Sequence, residues 1–109
     1  MLPSLKLMTD YHCFPLWFYD NLNSSDNIDP ETLPISDALK KRLLNWATLY
    51  DQILNLNDPA SSNFKSEQDA NKFNEEGELL WKLLQEELGG EYKIYYYDMK
   101  TSKLRNPTF

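Results

Sequence analysis

The chain has 109 residues, of which 41 % are hydrophobic and 14 % aromatic, with 17 acids against 11 lysines and arginines for a net charge of −6. This length fits one domain, 1–109, with one modest core, and the aromatic content separates it from disordered chains. No apolar run reaches the roughly 18–20 residues of a membrane span, MLPSLKLMTD lacks the charged start and long apolar stretch of a signal peptide, and a single cysteine fits a reducing cytoplasm.

The first element in chain order is a short strand over 4–9, where Leu5 and Leu7 alternate with Lys6 and Met8. A long loop follows, opening with DYHCFPLWFYDN at 10–21. Pro15 interrupts regular structure there. Leu16, Trp17, Phe18 and Tyr19 are too many large apolar groups in a row to face one core. Two readings stay open: these aromatics close over the helices, or some remain exposed as anchors for another protein.

A helix is predicted over 36–55. Ser36 is a suitable N-cap and Asp37 suits the positive end of the helix dipole. Leu39, Leu43, Trp46, Ala47, Tyr50, Ile53 and Leu54 form one stripe, and Asn57-Asp58-Pro59 stops the helix. A second helix is predicted over 66–88, with Ser66 and Asp69 as a capping-box-like start and Gly89-Gly90 as its stop. Its stripe is Ala70, Phe73, Gly77, Leu80, Trp81, Leu84 and Leu88. Gly77 costs about 1 kcal/mol against alanine inside a helix, so its use is to admit a large ring, such as Trp46, close to the backbone.

Residues 92–98, YKIYYYD, are β-branched and aromatic and read as the last strand. The tail TSKLRNPTF is expected to be partly disordered. The fold class is α+β: a two-helix hairpin packed on a small sheet formed by the N- and C-terminal strands. Two strands cannot cover two helical stripes, so the aromatic loop must help.

The charges are segregated. From Leu7 to Leu39 there is no lysine or arginine, while Asp10, Asp20, Asp26, Asp29, Glu31 and Asp37 contribute −6. From Ser66 to Glu91 eight acids stand against Lys72 and Lys82. Such a chain repels a phosphate backbone, so no nucleic-acid partner is expected. It attracts a cationic protein and speeds encounter with it, although acidic faces also serve solubility.

Catalytic chemistry has little to stand on. His12 and Cys13 are the only residues of their kinds, and neighbours on an extended chain point apart. A zinc site would draw most of its ligands from carboxylates. The opposing reading is that Cys13 is a small buried hydrophobe and His12 an edge or interface residue. Glu75, Glu76 and Glu78 read as a solvated face rather than a catalytic pair. The only glycines are Gly77, Gly89 and Gly90, so there is no phosphate loop. No cofactor and no metal are expected.

The segments DYHCFPLW (10–17), NIDPETLPIS (27–36), LLNWATLYDQILNLNDPASSNF (43–64) and ELGGEY (87–92) resemble a family of small bacterial immunity proteins of polymorphic-toxin and contact-dependent growth-inhibition systems. The extra aromatics Phe18 and Tyr19 and the tyrosine-rich last strand depart from the family pattern. The resemblance implies a non-enzymatic cytoplasmic inhibitor of a cognate toxin domain. Combined with the charge, it leads to an expected basic toxin partner, a nuclease, whose active site the chain occludes in a 1:1 complex without a membrane. Trp17 and Tyr19 are the expected anchors, and Asp20, Asp26, Asp29 and Glu31 the steering charges. The acidic face of the second helix, Glu75, Glu78 and Glu86, is the runner-up surface. The alternatives are a small enzyme or metal-binding protein using His12, Cys13 and nearby acids, and a regulatory interaction domain.

Overall fold

The computed structural model describes residues 3–19, 26–53 and 66–107. Strand β1, Ser4–Leu7, buries Leu5 and Leu7. The last predicted strand is present as Lys93–Asp98, which buries Ile94, Tyr96 and Asp98 and lies parallel to β1 in the middle of the sheet.

Three further short strands complete that sheet. Residues 16–18 form β2, paired antiparallel to β1, and Asn27–Ile28 forms β3, paired antiparallel to β2. Numbered in chain order, Lys93–Asp98 is β4, and Lys103–Arg105 is β5, antiparallel to it. The order across the sheet is β3-β2-β1-β4-β5. The aromatic loop thus helps cover the helices as part of the sheet. Pro15 stands just before β2, where its missing N–H costs no ladder bond, and its carbonyl accepts from the Met8 amide at 2.9 Å. The Asn27 side chain clamps β3 to the incoming chain: Oδ1 accepts from the Phe14 amide at 2.9 Å, and Nδ2 donates to the carbonyls of Phe14 and Leu16 at 2.7 and 3.0 Å.

Within the tail, residues 103–105 form β5, and its last two residues, 108–109, lie outside the described residues. Asp98 Oδ1 accepts from the Lys100 amide at 2.9 Å and closes an Asx-type turn. Ser102, at φ 55°, completes the reversal. The returning Arg105 guanidinium lies 5.0 Å from the Trp81 ring centroid and 3.2 Å from a Glu78 carboxylate oxygen.

Both helices form where their stripes predict. Helix α1 spans Asp37–Asp51 and α2 spans Glu67–Leu88. Helix α1 ends earlier than the expected 55: Gln52 caps it, its amide donating to the Thr48 carbonyl, and Ile53 of the predicted stripe follows in a turn. Leu54 and the expected Asn57-Asp58-Pro59 stop lie outside the described residues. Ser36 Oγ accepts from the Leu39 amide and Ser66 Oγ from the Asp69 amide, so both predicted caps are made. Helix α2 stops at Leu88 without a left-handed glycine, since neither Gly89 nor Gly90 has a positive φ.

The helices run antiparallel, tied at three levels. Glu87 accepts from the Ser36 amide and hydroxyl, Arg42 holds Glu76 through two bonds of 3.2 and 2.7 Å, and the Trp46 ring stacks on Phe73 with centroids 4.8 Å apart. Their joint stripe packs on Leu5, Leu7, Leu16, Ile28, Ile94 and Tyr96 of the sheet. Trp46 and Trp81 are buried, as their places in the stripes predict. Their indole N–H groups donate to the carbonyls of Phe73 and Ile94 at 2.9 and 2.7 Å.

Gly77 has the use its position suggested. A Cβ there would lie 2.7 Å from the Trp46 ring and 2.5 Å from the Tyr96 hydroxyl. Replacing it with alanine should therefore destabilise the protein, although helix propensity favours alanine by about 1 kcal/mol. Overpacking costs about 1–3 kcal/mol, so the expected net loss is up to about 2 kcal/mol, read as a lower midpoint in urea denaturation. A Gly77→Ala protein more stable than wild type would contradict the close approach.

Tyr50, buried between Tyr11 and Phe73, has its phenol pushed up to about 12 by burial first and then by Tyr11, Asp10 and Tyr97. Burial also raises Tyr96. A raised acid group contributes stability that is full below the unfolded value near 10 and is lost as pH climbs through the folded value. Wild type should lose stability between pH 10 and 12, and Tyr50→Phe should lose it less steeply. Equal slopes in urea melts across that window would remove Tyr50 as a source.

Candidate functional site

Both helices pack on one face of the sheet and leave the other without a helix among the described residues. Strand alternation decides which residues stand on this open face. On β1 it is Lys6, whose register partners are Trp17 on β2 and Tyr95 on β4. Tyr19 continues the row: its ring centroid is 5.1 Å from that of Tyr95 and 5.8 Å from the Lys6 ammonium. Trp17 is half-buried, and its indole N–H donates to the Met8 carbonyl at 2.9 Å, which fixes the ring against the sheet.

The two expected anchors, Trp17 and Tyr19, therefore share one surface. Phe18, between them, points to the helix side and remains 43 % exposed at its edge. The sequence reading missed Lys6 and Tyr95 as members of this surface. The alternation of Lys6 with Leu5 and Leu7, and the tyrosines of the last strand, were visible signals. Their adjacency to Trp17 depends on strand register, which no local pattern supplies.

The steering acids are not gathered beside the anchors. Asp20 lies outside the described residues. Asp26 is exposed at the β3 edge, where its carbonyl accepts from the Phe18 amide at 2.9 Å. Asp29 caps the 3-10 turn Pro30–Thr32, its Oδ1 accepting from the Glu31 amide at 3.0 Å. Glu31 reaches Lys40 on α1 at 3.8 Å. Two of the four acids thus have local structural roles. The runner-up surface on α2 is similarly divided: Glu78 binds Asn74 and Arg105, while Glu75 and Glu86 are exposed.

The 10–14 turn docks on the end of α1. Tyr11 stacks on Tyr50 with centroids 4.6 Å apart, and Asp51 accepts from the His12 amide at 2.8 Å. His12 is exposed and adopts φ 60°. The Cys13 thiol is half-buried and pushed up by burial, then by Asp10 and Asp51. That is the opposite of the lowered value an attacking thiolate needs. Among the described residues, no three His, Cys, Asp or Glu side chains come together in a way that could hold a metal ion.

The arrangement offers a rigid, half-buried aromatic surface with a lysine in its middle, which suits protein recognition. No helix of the structure is long and apolar enough to cross a membrane among the described residues. No curated protein matches the chain. The family model for Serratia CdiI immunity protein-like sequences matches residues 3–99, a span that takes in β1 to β4, both helices and the whole open-face row. By that match the chain belongs to the Serratia CdiI immunity protein-like family.

Proposed function

We propose that the protein is an immunity protein that binds a cognate toxin domain in the cytoplasm and neutralises it by covering its active site. Membership of a CdiI immunity family is the observation that carries this reading. The reading extends to a basic toxin, a nuclease, bound 1:1 without catalysis by this chain. A nuclease cleft is cationic because it holds phosphates, and a chain with net charge −6 competes for the same groups. In this account Trp17 and Tyr19 anchor the complex, and Asp20, Asp26, Asp29 and Glu31 steer its formation.

The direct test is coexpression. If the gene directly upstream encodes a large secreted protein, a cell expressing that protein's C-terminal domain should survive only when this chain is present. Continued growth arrest in the presence of folded chain would reject the reading.

Two kinetic outcomes refine it. Trp17→Ala should speed dissociation about 30-fold, the equivalent of about 2 kcal/mol for a buried aromatic anchor. Neutralising all four acids should slow association and flatten its salt dependence in stopped-flow mixing. Free of nearby lysines in sequence, these loop acids would be expected to be neutral for folding. The Asp29 cap and the Glu31–Lys40 pair change that expectation, and about 1 kcal/mol of stability should be lost with them. Asp20→Asn with Asp26→Asn is the cleaner probe, and an association rate unchanged in that pair would remove the loop as the steering surface.

A further inference from the structure

Four cations among the described residues are partly buried: Lys6, Lys40, Arg42 and Arg105. Three of them hold a carboxylate within 4 Å. Lys40 has Glu31 and Asp37, Arg42 has Glu76, and Arg105 has Glu78 and Asp98. Lys6 has none among the described residues, and its contact is the Tyr19 ring. It stands on a central strand between Trp17 and Tyr95. In that position its stem is packed between aromatics while its ammonium faces outward without a counter-charge among the described residues.

The open face around it has its own electrostatic character. Among the described residues no strand residue on that face is acidic, and Lys93, the register partner of Ser4, stands on it with Lys6. A protein with net charge −6 thus carries an aromatic, cationic surface opposite its helices. A wholly basic partner would meet repulsion there. A partner presenting a carboxylate among apolar side chains would complete the one partly buried cation that lacks a carboxylate among the described residues.

We propose that the toxin domain docks on this open sheet face and that one of its acidic side chains pairs with Lys6, between Trp17, Tyr19 and Tyr95. The proposal rests on the immunity reading and deepens it by assigning the contact surface and its central charge. Steering and docking are then separate: the acids at the β3 edge attract a basic domain, and Lys6 selects the carboxylate that seats it. Phenol and indole rings around the pair exclude water and strengthen it.

The test measures affinity for the toxin domain against which this chain protects in coexpression, with wild type, Lys6→Met, Lys6→Glu and a control, Lys41→Glu. Lys41 is exposed on α1, and its change reverses the same charge on the helix side. Lys6→Met keeps the stem and, standing on an open face, should melt like wild type. Both Lys6 variants should bind about 30-fold more weakly or worse, the loss expected when one partner of a desolvated charge pair is removed. Lys41→Glu should change affinity less than about twofold. Wild-type binding with unchanged affinity in both Lys6 variants would overturn the proposal and leave the immunity reading standing. A wild-type chain that neither binds nor protects would overturn both. A wild-type chain that sediments alone as a dimer, and becomes a monomer with Lys6→Glu, would assign the face to self-association and overturn the proposal.

Discussion

At Gly77 the Trp46 ring of α1 and the Tyr96 hydroxyl of β4 come so close to the α2 backbone that a methyl group would collide with both. Three elements meet at that point, and the two rings each bring a polar tip that must be satisfied out of water. The Trp46 indole donates to the Phe73 carbonyl of α2. The Tyr96 hydroxyl donates to Asn74 Oδ1 at 2.7 Å, and Asn74 passes the chain on to Glu78. Glu78 in turn holds Arg105, which covers Trp81 and reaches Asp98. One missing side chain thus sets the spacing of helix on helix and of helix on sheet, and the polar tail of the same contact secures the last hairpin.

That spacing has a consequence for the other side of the molecule. Because both helices gather on one face, the core takes Leu5, Leu7, Leu16, Ile94 and Tyr96, and alternation sends Lys6, Trp17 and Tyr95 to the opposite face. The acids follow a similar division. Glu76, Glu78 and Glu87 bridge elements, Asp29 and Glu31 stabilise the approach to α1, and Asp98 forms the β4–β5 turn. Much of the acidity that the composition suggests is a partner signal is therefore internal architecture. What is left for recognition is narrower: exposed acids such as Asp26 at one edge, and an aromatic face whose partly buried cation, Lys6, has no carboxylate beside it among the described residues.

The helices were legible because their information is local. Stripes at helical spacing and the Ser36 and Ser66 caps define α1 and α2 within a few residues of where they lie. The pairing of Gly77 with Trp46 followed from the need to explain a glycine in a helix. Strands β2, β3 and β5 were not legible, since two or three residues hold no period. They exist because a neighbouring strand offers its ladder and because Asn27 and Asp98 make side-chain bonds that shape the approach. Trp17 and Tyr19 could be singled out as too many rings for one core, yet their neighbours Lys6 and Tyr95 come from strands separated by most of the chain. Register brings them together, and register is a property of the assembled sheet.

The central claim is that the open sheet face is the surface that meets a toxin. The three tryptophans report on it separately, because Trp46 and Trp81 are 2 % and 4 % exposed in the core while Trp17 stands half-buried on the open face. Fluorine NMR of the chain labelled with fluorotryptophan, titrated with unlabelled toxin domain, reads all three at once. The account predicts that the Trp17 resonance moves and loses its solvent isotope shift while those of Trp46 and Trp81 hold their positions. Saturation by the toxin with the Trp17 resonance unmoved and still solvent-sensitive would contradict it.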